Sequence, residues 1–272
     1  MCKKYKFIEE DRNLCKEDIS EIEEWLKHND INKMLTISES NNEKINRTLL
    51  EIAINNNALE VVKFLVENGA DLYYCSDSQW NTLLEIAADC GHLDILKYLI
   101  ENGFDKKIFL NDNSLIYAAS RNFTEIIKYL VEQGKDIEQK QKAVPVMQHY
   151  YPDGDCYTEN ISEEQKLNTI GPNALRMAAQ ENSIESVKLL CKLGANVNVD
   201  DGFGTPLYSA AGEGNLEIVK ILLEYGADIN CVNENNVTPY HIAICYGHKE
   251  VAEYLLSCGA DTTIIPINQD EK

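Results

Sequence analysis

A glycine-centred triplet returns along the chain at nearly fixed spacing, and this self-similarity restricts the fold more than any bulk property does. It reads Gly69-Ala70-Asp71, Gly103-Phe104-Asp105, Gly134-Lys135-Asp136, Gly194-Ala195-Asn196, Gly226-Ala227-Asp228 and Gly259-Ala260-Asp261. The intervals are 34, 31, 60, 32 and 33 residues, so one of them holds a single period plus about 27 extra residues. A chain of 272 residues that repeats in this way builds an array of like units rather than one closed core.

Two further features keep the same phase. Sixteen residues before each glycine begins a pair of apolar residues, Ala53-Ile54, Ala87-Ala88, Ala118-Ala119, Ala178-Ala179, Ala210-Ala211 and Ala243-Ile244, whose alanines let two helices approach closely. Five residues before each pair stands a helix N-cap, namely Thr48, Thr82, Asn113, Asn173, Thr205 or Thr238, whose side-chain oxygen accepts from an unpaired amide of the first turn. Glu51 and Glu85 complete capping boxes, while Pro206 and Pro239 take the first helical position, where a missing N–H costs nothing. The second half of each unit is amphipathic, as in Leu216-Glu217-Ile218-Val219-Lys220-Ile221-Leu222-Leu223-Glu224, with acid and base three apart at Glu217 and Lys220 or Asp94 and Lys97. Its closing glycine suits a left-handed C-cap. Each unit is therefore expected to run helix, turn, helix, then a polar extended hairpin.

Thr205-Pro206-Leu207-Tyr208-Ser209-Ala210-Ala211 with Gly226-Ala227-Asp228-Ile229-Asn230 resembles the ankyrin repeat, as does Thr238-Pro239-Tyr240-His241-Ile242-Ala243 with Gly247-His248 and Gly259-Ala260-Asp261. The third and fourth units depart from it with Asn113-Ser114-Leu115 and Asn173-Ala174-Leu175, yet keep a capping side chain. The resemblance implies an all-α solenoid of helix-turn-helix units joined by β-hairpin fingers. Six units are expected at about 46–77, 78–110, 111–138, 171–199, 200–232 and 233–265, with an inserted loop at 139–170 and a short C-terminal tail. Residues 1–45 are expected to form a helical capping repeat, with Ile22, Trp25 and Leu26 covering the next unit and Glu21, Glu23, Glu24 and Lys27 facing water. Nine residues after Thr263 leave no room there for an appended effector domain.

The formal charge of −20 disfavours nucleic acid and anionic lipid and suits a basic partner surface, or solubility alone. Nine cysteines, odd in number and without a CxxC pair, are expected to be reduced thiols in a cytoplasmic protein. Residues 1–10 lack the apolar core of a signal peptide, and no run reaches the roughly 20 apolar residues of a membrane span. Richness in Asn, Ile, Lys and Glu is similar to ankyrin-repeat proteins of AT-rich genomes, such as giant viruses of amoebae or intracellular bacteria, which would make a host protein the target.

No Walker loop, dinucleotide fingerprint or nucleophile elbow occurs, so neither an enzyme nor a cofactor is expected. His92, His241 and His248 occupy structural positions of the repeat. Asp153-Gly154-Asp155 lacks the further oxygens of a calcium loop, and no metal site is expected. An enzymatic alternative would join His149 and the run from Asp153 to Cys156 to the groove. Asn198 and Asn230 resemble asparagines that some ankyrin proteins present to hydroxylases, and hairpin hydrogen bonding explains them as well.

The expected function is non-catalytic: a monomer that binds a protein partner. By the resemblance, partners lie along a concave face made by hairpin tips and the exposed ends of the first helices. The two residues after each small pair then face the partner: Asn55 and Asn56, Asp89 and Cys90, Ser120 and Arg121, Gln180 and Glu181, Gly212 and Glu213, Cys245 and Tyr246. Trp80, Arg121 and Tyr246 are the expected anchors, with Asp89, Gln180, Glu181 and Glu213 around them. Tyr150 and Tyr151 of the inserted loop are further candidates.

Overall fold

The structure is a computed structural model, and it describes residues 14–33, 35–38, 44–73, 82–142, 170–200, 204–233 and 235–264. Two compact units divide the chain at Ser114 and Leu115.

The described part of the first unit opens on a single 3-10 turn, Lys16–Asp18, in which the buried Asp18 carboxylate accepts from the Cys15 amide at 2.9 Å. Helix α1 (Ile19–Leu26) buries Ile22 and Trp25, leaves Glu23 and Lys27 exposed, and holds Glu21, Glu24 and Leu26 half-buried. An antiparallel hairpin follows, β1 (Leu35–Ser38) with β2 (Lys44–Arg47), in the register Leu35 opposite Arg47. Two helix pairs come next: α2 (Leu49–Asn55) with α3 (Leu59–Glu67), and α4 (Leu83–Asp89) with α5 (Leu93–Glu101). The short inner helices α2 and α4 pack on each other, and so do the longer outer helices α3 and α5.

Local chemistry accounts for where these helices start and stop. Thr48 and Thr82 accept from the amides of Glu51 and Glu85 at 3.1 and 3.2 Å. The buried glutamates return the bond, accepting from the Thr48 and Thr82 amides at 2.6 and 3.0 Å. The other oxygen of Glu85 accepts from the amide of Asn113 at 2.7 Å, so one carboxylate caps its own helix and also ties down the chain that leads to the next. Each inner helix ends in a left-handed residue, Asn57 or Gly91, after which the Ala58 and His92 amides donate back to Ala53 and Ala87, both at 2.9 Å. That is a Schellman closure.

One element departs from the expected pattern. Where a polar extended finger is anticipated after Asp105, the chain forms a further helix, α6 (Lys106–Asn111). Asp105 caps it by accepting from the Lys107 and Ile108 amides at 2.7 and 3.2 Å, and Phe109 is buried beneath it. An oxygen-bearing cap followed by Ile108-Phe109-Leu110 favours helix over hairpin here.

The second unit repeats the helix pairs: α7 (Ser114–Ser120) with α8 (Thr124–Glu132), α9 (Ala174–Gln180) with α10 (Ile184–Lys192), α11 (Pro206–Gly212) with α12 (Leu216–Glu224), and α13 (Pro239–Cys245) with α14 (Lys249–Ser257). Helix α7 begins with the last residue of the first unit. The inner helices α9, α11 and α13 stack in order, and α10, α12 and α14 do so behind them. Alanines 118, 178, 210 and 243 have no exposed surface, which is what allows helices this close together. Between α8 and α9, strand β3 (Lys140–Lys142) pairs antiparallel with β4 (Ile170–Asn173), so the two arms of one finger bracket the inserted sequence. Residues 143–169 lie outside the described residues, Tyr150 and Tyr151 among them.

Candidate protein interface

Four equivalent positions of the second unit share one environment. Arg121, Glu181, Glu213 and Tyr246 each follow the last residue of an inner helix, and all four are exposed. Their amides close the helix by donating to Tyr117, Met177, Ser209 and Ile242 at 2.9 to 3.1 Å. The next residue is left-handed in every case: Asn122, Asn182, Gly214 and Gly247. Backbone bonds thus close each helix at this position, and the four residues stand at the surface.

Neighbouring repeats hold that row in place. A helix C-terminus leaves carbonyls without intrahelical donors. Ser183 Oγ donates to the Ser120 carbonyl at 2.6 Å, and Asn215 Nδ2 donates to the carbonyls of Ala179 and Gln180 at 2.9 and 3.2 Å. Asn122 Oδ1 accepts from the Ser186 amide at 2.8 Å. At the next step His248 lies against Gly214, where a Cβ would collide with its ring. Tyr246 lies over the end of α11 in the same way: a Cβ on Gly212 would stand 3.3 Å from Ile242 and 3.8 Å from the Tyr246 ring. The ring is thus backed by helix while 65 % of the residue's surface stays exposed.

Of the expected site residues, Arg121, Glu181, Glu213 and Tyr246 share this register of the second unit, and the half-buried Gln180 is the helical residue just before Glu181. Asp89 belongs to the first unit, where the equivalent positions Asn56 and Cys90 are half-buried. Trp80 lies outside the described residues, as do His149 and the Asp153 to Cys156 run. Glu181 and Glu213 have no cation in ion-pair reach among the described residues. The outer helices differ, for Glu60, Glu125 and Glu185 are matched by Lys63, Lys128 and Lys188 one turn on. The Lys63 hydrogen bond holds the Glu60 carboxyl below its ordinary pKa and raises that of the lysine.

The bases of the fingers form a second ladder, which the sequence disclosed only in part. Asn32, Tyr73, Glu138, Asn198 and Asn230 accept from the amides of Asp71, Asp105, Asn196, Asp228 and Asp261 at 2.6 to 2.9 Å. Each lies four residues beyond the glycine position of its own unit and ties to the triplet of a following one. Asn198 also donates to the Gly226 carbonyl at 3.2 Å, and the Tyr73 hydroxyl donates to Gly103 at the same distance. Tyr73 and Glu138 escape a motif search because only their position matches the asparagines.

The remaining candidate chemistry is occupied by packing. His241 Nδ1 is 2.8 Å from Thr238 Oγ1, and His92 Nε2 is 3.4 Å from the Asn55 carbonyl. Burial pushes the Cys191 and Cys231 thiols up to about 11, so neither is a ready thiolate near neutral pH. Among the described residues no three His, Cys, Asp or Glu side chains are placed to hold a metal ion, and no helix is long and apolar enough to cross a membrane.

The family model for ankyrin repeats (3 copies) matches residues 16–109, 50–141, 107–201, 146–233 and 175–265, and the chain belongs to that family. Among solved structures, the crystal structure of the human ASB11 ankyrin repeat domain superposes with a TM-score of 0.63 at 21 % identity, covering 81 % of this chain and 87 % of that one. At that identity the likeness shows the fold. No curated protein matches. Ankyrin repeats are generally protein–protein interaction modules, and the fold is typically non-catalytic.

Proposed function

We propose that this chain is a non-catalytic recognition scaffold that grips a protein partner along the inner-helix ends of its second unit. The observation that carries the reading is the exposed row Arg121, Glu181, Glu213 and Tyr246, one residue per repeat, fixed by the repeat behind it. Tyr246 is the anchor, because an aromatic ring already seated on helix loses little freedom on binding and buries much apolar area. Unmatched Glu181 and Glu213 favour basic groups on the partner, in keeping with the charge of −20. Trp80, Tyr150 and Tyr151 are kept as further candidate contacts from the amino-acid sequence alone. The protein works as a monomer in a reducing, cytoplasmic setting, a reading supported by the six free cysteines of the described residues.

The test is affinity capture from a cell lysate with wild type, with Arg121→Ala/Tyr246→Ala, and with Glu181→Gln/Glu213→Gln. Loss of one interface anchor costs about 2 kcal/mol, roughly a thirtyfold weakening, so the first variant should lose its partner. The second should retain it weakly and with less salt dependence. Equal recovery by all three proteins would move the interface off this row.

A further inference from the structure

Of the six described inner helices, one ends on glycine. The others end on Asn55, Asp89, Ser120, Gln180 and Cys245, whereas α11 ends on Gly212. Onto that bare backbone the following repeat lays the Tyr246 ring, two of whose carbons would stand 3.8 Å from a Cβ on Gly212. Tyr208 lies about one turn earlier on the same face of α11, half-buried, with its hydroxyl accepting from Asn233 Nδ2 at 3.2 Å. Burial first, and then the neighbouring Tyr246 and Cys245, push the Tyr208 phenol above its ordinary pKa, so the two phenols belong to one patch.

Glu213 stands at the rim of this patch. One peptide step from Gly212 is about 3.8 Å, so an exposed carboxylate and an exposed aromatic ring adjoin across a position with no side chain of its own. A cation is drawn to the face of a ring as well as to a carboxylate, and both attractions strengthen as water leaves. A guanidinium meets both at once: its plane stacks on the ring while its edge pairs with the carboxylate through two N–H donors. The compact ammonium of lysine has neither the plane nor the fork.

Spacing describes the rest of the ligand. Glu181 takes the position of Glu213 one repeat earlier, and packed inner helices stand about 8 to 10 Å apart. A polyproline II segment rises about 9 Å in its three-residue turn and returns side chain i+3 to the face of side chain i. In a β-strand those two side chains point to opposite faces. We infer that Tyr246 and Glu213 form an arginine-reading subsite, and that the partner enters it with an Arg-x-x-Arg segment in polyproline II form whose other arginine lies at Glu181. This inference rests on the inner-helix ends being a recognition surface, and it names the ligand of that surface.

The test titrates the full chain with three blocked synthetic peptides, followed by calorimetry and by amide shifts in NMR. The first is Pro-Pro-Arg-Pro-Pro-Arg-Pro-Pro; the second replaces both arginines by lysine at equal charge; the third sets two arginines seven apart in an alanine-rich helix, a spacing of about 10 Å. The expected result is that the first binds roughly tenfold more tightly than the second and shifts the amides of Glu181, Gly212, Glu213 and Tyr246. Tyr246→Leu keeps an apolar cover over Gly212 without an aromatic face, and should remove most of that preference. Glu213→Gln should weaken the first peptide roughly fivefold. Equal binding of the arginine and lysine peptides overturns the proposal, as does a preference that survives Tyr246→Leu or tighter binding of the helical peptide. In each of those cases the row itself still stands if Arg121→Ala/Tyr246→Ala loses the captured partner, and it falls only if capture is equal in all variants.

Discussion

Helix α2 of the first unit and helix α13 of the second carry the same Ala-Ile pair at the same point of the repeat, and the two isoleucines have opposite fates. Ile54 is wholly enclosed and Ile244 is half in water. Both follow a threonine cap by six residues, and both sit beside an alanine with no exposed surface. The difference comes from outside the helix. An inner helix, α4, packs on α2, while no described inner helix follows α13. In a repeat fold the unit's own pattern decides which side of a helix is apolar, and the neighbour decides whether that side is buried.

The largest effect that could break this comparison is cavity formation. Ile54→Ala removes a fully enclosed side chain and should cost about 3 kcal/mol, against under about 1 kcal/mol for Ile244→Ala, measured by urea denaturation. Similar losses at both sites would mean that Ile244 is as enclosed as Ile54 in solution. The third helical residue gives the next contrast. In α2 it is Glu51, buried and accepting from the Thr48 amide at 2.6 Å; in α13 it is the half-buried His241 against Thr238. Glu51→Ala leaves a buried donor without its acceptor and should cost about 2 kcal/mol, while His241→Ala should cost less than about 1 kcal/mol.

The smallest effect sharpens the comparison at the far end of the last repeat. The Asp261 carboxylate accepts from the Thr263 amide and hydroxyl at 2.8 and 2.7 Å, and those bonds hold its pKa below the ordinary aspartate value. A depressed folded-state pKa contributes stability above the unfolded value and loses it as pH falls through the folded one. Thr263→Ala should therefore move the Asp261 titration upward in NMR and slightly soften the acid limb of the stability curve. An unmoved titration would show that the turn at 261–263 is not formed as described.

Much of the candidate interface is legible in the amino-acid pattern. The small pairs locate the positions after each inner helix, and Arg121, Glu181, Glu213 and Tyr246 are exposed there. Pattern alone does not separate the two units, because Asn56 and Cys90 occupy the same register yet are half-buried. Nor does it show that Tyr246 lies over Gly212, since that contact joins residues of successive repeats.

What the sequence determined by itself is everything the chain encodes locally. Threonine and asparagine caps, proline at the first helical position and left-handed glycines act within a few residues, so the starts and stops of the inner helices are readable from one repeat. The tertiary structure decided what depends on a neighbour. It buried Phe109 of α6, a helix whose start the Asp105 cap sets locally. It enlisted Tyr73 and Glu138 in a ladder of asparagines, since a hydrogen bond needs an acceptor at the right place rather than a particular residue. It also enclosed Ile54 and left Ile244 open, because burial belongs to a pair of surfaces and a sequence pattern describes only one of them.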